Sequence, residues 1–184
     1  MTRDEHVKQI IEHAYNHAPA VKERFDAQGL SPADVQAEAD LVKVPILPKD
    51  DVIALQQKSP PFGGMLAVPV TEVKHIFMSP GPIYEPDAGE DPISAAVTQS
   101  ALQAASFGPG DVVANALSYH LVPAGMLLDG ALVGVGCSVV PTGVGNSELQ
   151  IKIMQDLGVT GYVGTPSFLI NLLKTAEGMG LDTK

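Results

Sequence analysis

Two short stretches of this 184-residue sequence carry side chains whose type and spacing could do chemistry. The first is Met78-Ser79-Pro80-Gly81-Pro82-Ile83-Tyr84-Glu85-Pro86. Ser79 offers a hydroxyl, Gly81 lets a ligand come close to the main chain, and the remaining N–H groups could form part of an anion nest. The prolines at 80, 82 and 86 remove donors and stiffen the stretch, which suits a structural connection equally well. The second stretch is Ser118-Tyr119-His120. A Tyr–His pair at the end of a strand makes an aromatic wall with a polar tip, and His120 could serve as a general acid or base near neutral pH. The alternative reading puts Tyr119 in the core and His120 at the surface. His13 and His17 lie four apart and could reach one metal from one helix face; with no third ligand nearby, an exposed polar face accounts for them too.

Other searches are empty. There is no G-x-x-x-x-G-K-[ST] phosphate loop, no G-x-S-x-G elbow, no C-x-x-C and no H-E-x-x-H. Gly143-Val144-Gly145 lacks the third glycine of a dinucleotide fingerprint. Eleven Lys and Arg against 21 Asp and Glu leave a formal charge of −10, a field that repels a phosphate backbone, so nucleic acid is not expected as a partner. The one cysteine, Cys137, sits in an apolar run and reads as a small buried hydrophobe on a strand. The first residues are charged, unlike a signal peptide, and the greasy stretch from Leu121 to Val140 is broken by Asp129 and four glycines. No membrane contact is expected, and the cytoplasm is the expected location.

The elements that must position these residues follow from periodicity. Residues from about Glu5 to Gln28 show helical spacing interrupted at Pro19, with Gly29 after the end. Ser31-Pro32-Ala33-Asp34 and Leu47-Pro48-Lys49-Asp50-Asp51 each read as a helix start. Near residue 70 the pattern changes, which divides the chain into an N-terminal helical and loop segment, 1–70, and a βαβ segment, 71–184. In the second segment we expect strand 73–78, a loop from Ser79 to Glu90 and helix 92–107, with Ile93, Ala96, Val97, Ala101, Ala104 and Ala105 inward. Then come strand 112–117, helix 121–133, strand 137–141, helix 147–157, strand 161–165 and helix 166–179. This alternation predicts an α/β fold with a mostly parallel, doubly wound sheet behind an N-terminal helical segment. Ligands on such sheets bind at the carboxyl ends of strands, so the loops after Met78, Leu117, Pro141 and Thr165 are the candidate places.

Four stretches together resemble the N-terminal part of phenylacetate-CoA ligases, adenylate-forming acyl-CoA synthetases of the AMP-binding superfamily. They are Val44 to Asp51; the Met78–Pro86 loop after His75-Ile76; Gly108-Pro109-Gly110-Asp111-Val112-Val113; and Gly136 to Pro141 followed by Gly161 to Phe168. The resemblance implies a reaction in which an aryl or acyl acid reacts with ATP and Mg²⁺ to give an acyl-adenylate, from which CoA displaces AMP. It assigns Ser79, Gly81 and Tyr84 to a degenerate phosphate loop: the family's Ser-Ser-Gly-Thr-Thr-Gly-Lys-Pro keeps Ser79, Gly81 and Pro86 but has Pro82 and Ile83 for hydroxyls and Glu85 for lysine. It assigns Tyr119, His120, Thr165 and Pro166 to the acid pocket.

The same resemblance implies that the adenine and ribose segments and the lid domain with its lysine fall outside this chain. It therefore implies an incomplete large domain with no catalytic residue and no metal ligand of its own. Two readings follow: the N-terminal portion of a CoA ligase, active when completed, or an inactive acyl- or aryl-binding module. The expected partners are a small aryl or acyl carboxylic acid and, at an open sheet edge, either another copy of the chain or a complementing C-terminal chain.

Overall fold

Thr2 and Glu5 start the chain's first helix by satisfying each other's orphan N–H groups, with Glu5 N donating to Thr2 Oγ1 at 3.2 Å and Thr2 N to Glu5 Oε2 at 2.7 Å. The computed structural model describes residues 2–89 and 92–183. That first helix, α1 (Arg3–His17), stops where Pro19 enters, and Pro19 begins α2 (Pro19–Asp26). Ser31 and Asp34 cap a single 3-10 turn, and Pro48 precedes α3 (Lys49–Lys58). Ala18, Ala20, Phe25, Val35, Phe62 and Ile83 are buried here, whereas α1 contributes no buried residue.

The stretch expected to run as a loop from Ser79 to Glu90 instead folds back on itself. Strand β1 (His75–Ser79) pairs antiparallel with β2 (Ile83–Asp87), Ser79 opposite Ile83 and His75 opposite Asp87. Pro80-Gly81-Pro82 makes the tight turn, and Pro86 is tolerated because a two-stranded ribbon has only edge strands. The loop after Met78 therefore closes a hairpin and does not lead from a parallel strand into a helix. Glu90 itself lies outside the described residues.

The chain divides into two compact units, Met1–Gly89 and Glu90–Lys184. The division falls after the hairpin, beyond the compositional change near residue 70, because the hairpin pairs only with itself and packs on α3. The second unit is a run of βα pairs: α4 (Pro92–Ala104), β3 (Val112–Asn115), α5 (Ala124–Gly134), β4 (Ser138–Val140), α6 (Ser147–Leu157), β5 (Gly161–Val163) and α7 (Pro166–Gly178). Its three strands are parallel in the order β4-β3-β5. Leu102, Val113, Ala131, Leu132 and Val135 pack with Val139 and Val163 on the α4 and α5 side. Ile151, Leu172 and Ala176 pack with Tyr162 on the α6 and α7 side. Side chains alternate across a strand, so Tyr162 and Val163 mark opposite faces and the sheet is covered on both.

Two details differ from expectation. In α4 the inward residue is Leu102, while Ala96, Val97, Ala101, Ala104 and Ala105 are exposed. An alanine-rich helix has too little contrast around its circumference to show which stripe faces in, and the side chain of Ile93 lies outside the described residues. Cys137 precedes β4 instead of lying within it, buried in the core and donating its thiol to Gly108 O at 3.4 Å.

Candidate ligand-binding site

At the carboxyl end of the parallel sheet, the segment after β3 leads to α5 on one face, and those after β4 and β5 lead to α6 and α7 on the other. Neighbouring strands whose connections depart to opposite faces open a crevice, the usual ligand position in such sheets. Tyr119 and His120 follow β3, Thr142 and Gly143 follow β4, and Thr165 and Pro166 follow β5, so the sequence-assigned pocket residues share this edge.

The organising residue is Asn115, the last of β3, which has no solvent exposure. Its Nδ2 donates to Tyr119 Oη at 2.8 Å and to Gly125 O at 2.9 Å. Its Oδ1 accepts from Leu117 N at 3.2 Å. Its main-chain oxygen accepts from Thr142 Oγ1 and from Gly143 N, each at 3.1 Å. A buried amide is tolerated when its donors and acceptors are paired, and here they are. Tyr119 is half-buried and His120 exposed. Burial, then the charge of Asp129, pushes the Tyr119 phenol above its ordinary value, against the opposing effect of the Asn115 hydrogen bond. At neutral pH it is a hydrogen-bonding phenol and not a base.

The flanking loops are pinned separately. Gln150 in α6 is buried, and its Nε2 donates to Gly143 O at 2.9 Å and Gly145 O at 2.7 Å. Thr165 caps α7 through Phe168 N at 3.4 Å, and its carbonyl accepts from Tyr162 Oη at 3.2 Å, while Pro166 supplies the first helical φ. Both therefore have structural duties at the start of α7.

Ser79, Gly81 and Tyr84 lie in the hairpin of the first unit. The Ser79 hydroxyl is buried and has no hydrogen-bond partner among the described residues. Gly81 has φ +152°, and a Cβ there would stand 3.3 Å from side-chain atoms of Ile53 and Ile83. Tyr84 is exposed, and both its backbone groups are occupied: its N–H donates to Gln56 Oε1 at 2.9 Å and its carbonyl accepts from Gln56 Nε2 at 2.8 Å. Pro80 and Pro82 have no N–H, and Glu85 is exposed with its negative charge. One free hydroxyl and an exposed carboxylate on the same hairpin do not fit the phosphates of ATP, which need converging N–H donors and positive charge.

His13 and His17 stack at 4.5 Å between ring centroids, and the Nδ1 of His17 lies 2.9 Å from the carbonyl of His13. Among the described residues, no group of three or more His, Cys, Asp or Glu is placed to hold a metal. None of the described helices is long and apolar enough to cross a membrane. Sequence reasoning missed Asn115, because one polar residue at the end of an apolar run reads as a strand terminator. Its signal was the tyrosine four positions on, within reach of a residue leaving the sheet.

No protein-family model matches the chain. Among characterised proteins, the phenylacetate-coenzyme A ligase of Aromatoleum evansii is 32% identical over 183 residues, 97% of this chain. Those of Pseudomonas putida and Thermus thermophilus are 30% and 28% identical over comparable lengths. The chain spans about 40% of the length of each of these relatives. Among solved structures, an open conformation of 2-hydroxyisobutyryl-CoA ligase in complex with 2-HIB-AMP and CoA superposes with a TM-score of 0.85 at 23% identity, over 95% of this chain and 39% of that one. The same ligase in its postadenylation state gives 0.84. Over nearly its whole length, then, this chain resembles the N-terminal part of the phenylacetate-CoA ligases and has the fold of the corresponding part of an adenylate-forming CoA ligase.

Proposed function

We propose that this chain is the acid-binding portion of a CoA ligase, one that joins a small aryl or acyl carboxylic acid to CoA through an acyl-adenylate, with ATP, Mg²⁺ and CoA as co-substrates. The observation that carries the reading is the buried Asn115, which draws Tyr119, the start of α5 and the loop after β4 together at the crevice of the parallel sheet. In this reading the Tyr119 ring forms one wall for the body of the acid, and Thr165 and Pro166 form the facing lip. His120 stands exposed at the mouth. The resemblance to the CoA ligases, shared by sequence and by fold, supports the same substrate class. The reaction needs groups beyond those on this chain, and because the Ser79–Pro86 turn does not fit a triphosphate, no step is assigned to it. The cytoplasm is the proposed location. The outer edges of β4 and β5 are the proposed pairing sites for a second copy or a complementing C-terminal chain.

The test is the thermal stability of the chain with phenylacetate, other aryl and short acyl acids, an aryl-CoA ester, a non-hydrolysable phenylacetyl-adenylate mimic, or ATP with Mg²⁺. A ligand at a hundred times its Kd stabilises by about 2.7 kcal/mol, a readily measured shift for a unit of this size. We expect the acid or the adenylate mimic to shift the transition, the shift to vanish in Tyr119→Ala, and ATP with Mg²⁺ alone to do little. No shift with any acid or mimic overturns the reading.

A further inference from the structure

A leucine at position 115 would satisfy the demands of β3, whose neighbouring residues Val113, Ala114 and Ala116 are buried and apolar. An amide there carries a desolvation cost that only its partners offset. Two of its bonds, to Gly125 O and Leu117 N, hold backbone and would do so in any structural role. The third is different, because it ends on the phenol of Tyr119, a half-buried side chain in the segment after β3. The ring is also held from the side. A Cβ on Gly125 would come within 2.9 Å of Tyr119 Cδ2 and 2.5 Å of Ser118 O, so α5 and the loop after β3 are in direct contact at this glycine. The ring is thus fixed at its tip by Asn115 and along its edge by Gly125. It has two rotatable bonds, and fixing both ends leaves it one position.

We propose that Asn115 is a positioning residue that sets the acid specificity of this site by locking the Tyr119 ring, and hence the width of the crevice, without touching the acid itself. The proposal rests on the acid-binding reading above. A pocket wall that cannot swing discriminates among acids by bulk. Freeing the ring should let small and large acyl groups be accommodated more equally, at the level of about tenfold that one displaced contact in an apolar pocket produces.

The experiment compares wild type, Asn115→Leu, Asn115→Ser, Tyr119→Phe and the double variant Asn115→Leu/Tyr119→Phe in the full chain. Asn115→Ser keeps a short group for Leu117 N but cannot reach the phenol, and it serves if the leucine variant does not fold. The first readout is the tyrosine Fermi doublet in the Raman spectrum, which reports whether a phenol oxygen accepts a hydrogen bond. The Tyr119→Phe difference spectrum assigns it among the four tyrosines. The second is the affinity ratio for two probes, the sulfamoyl-adenosine mimics of phenylacetyl- and acetyl-adenylate. We expect either Asn115 variant to convert the Tyr119 doublet to the non-accepting form. We also expect it to reduce the aryl-over-acetyl preference about tenfold, Tyr119→Phe to do the same, and the double variant to add nothing further.

An unchanged doublet overturns the proposal. So does a lowered melting temperature with the preference intact, which is what a merely structural Asn115 would give, and so do effects of the two single substitutions that multiply. If the wild type binds neither mimic, the acid-binding reading fails and the specificity role falls with it. If it binds both and the preference does not move in the Asn115 variants, the specificity role fails and the reading stands.

Discussion

Each unit hangs a candidate ligand segment on a buried amide, and the two amides are used differently. In the first unit Gln56 places both ends of its side chain on the backbone of one residue, Tyr84, forming a closed bracket that holds the hairpin to α3 and reaches nothing else. In the second unit the Asn115 amide spreads its bonds over Leu117, Tyr119 and Gly125, joining the loop after β3 to the start of α5, while its main-chain oxygen holds Thr142 and Gly143 in the loop after β4. A bracket of the first kind adds local rigidity, and its loss is felt locally. A hub of the second kind couples positions, so its loss moves several at once. The hairpin turn therefore reads as structure, with two of its donors replaced by proline and the Tyr84 N–H occupied, and the edge of the parallel sheet carries the candidate site.

The comparison can be broken most severely at Gly125. A methyl group there would meet the Ser118 carbonyl oxygen at 2.5 Å, and neither backbone can give way without moving the loop after β3. Gly125→Ala should destabilise the second unit by about 2 kcal/mol or more, lowering its transition by roughly 10 °C, and should abolish the shift produced by the adenylate mimic. A variant with wild-type melting and binding would show that the contact is slack and the hub unimportant. Gln56→Ala should cost about 1–2 kcal/mol from the two lost hydrogen bonds. Hydrogen exchange would show faster exchange confined to Tyr84 and its hairpin neighbours, with the mimic's effect on melting retained. Spread of that effect into residues 92–183 would contradict the description of Gln56 as a local bracket.

A smaller effect tests the second unit's core. Cys137 is 7% exposed, and burial, then the charge of Asp111, raises its thiol above the ordinary range. Alkylation by iodoacetamide at neutral pH should therefore wait for opening of the unit, and should quicken about tenfold for each 1.4 kcal/mol by which Gly125→Ala destabilises it. Rapid labelling of the native chain, unaffected by that substitution, would sink this.

Much of the second unit was legible because its strands are short apolar runs, and its helices begin where the sequence put them, at Ser147 with Glu148 and at Pro166. What was hidden had physical reasons. The hairpin escaped because Pro80, Gly81 and Pro82 announce a loop, and five residues containing Pro86 give too little alternation to announce a strand. The inward stripe of α4 escaped because alanine on every side leaves no contrast. Tyr119 and Thr165 were assigned by resemblance alone, and both lie in segments that follow strands of the parallel sheet. Asn115 could be recognised only once its partners, up to 28 positions away at Gly143, were seen converging on it.

The two units should also yield at opposite ends of the pH scale. In the first, the Lys22 ammonium holds Asp26 below the ordinary carboxyl range, the Ser31 hydroxyl does so for Asp34, and the Lys43 ammonium for Asp40. A carboxyl whose folded value is depressed contributes stability that is present above its unfolded value and disappears as pH falls through the folded one. With an unfolded reference of 3.8, this support should fade only below about pH 4, and gently, since Asp26 and Asp34 are exposed and Asp40 is only half-buried. In the second unit burial raises Cys137, Tyr119 and Tyr162, so their contribution is present below the unfolded values and declines as pH climbs past 9 for the thiol and 10 for the phenols. Pulse proteolysis with mapped cleavage sites reads the two directions separately. Cleavage should appear first within residues 2–89 in acid and first within 92–183 in alkali, and first cuts in the second unit at low pH would show that the capped carboxyls are not what sustains the first.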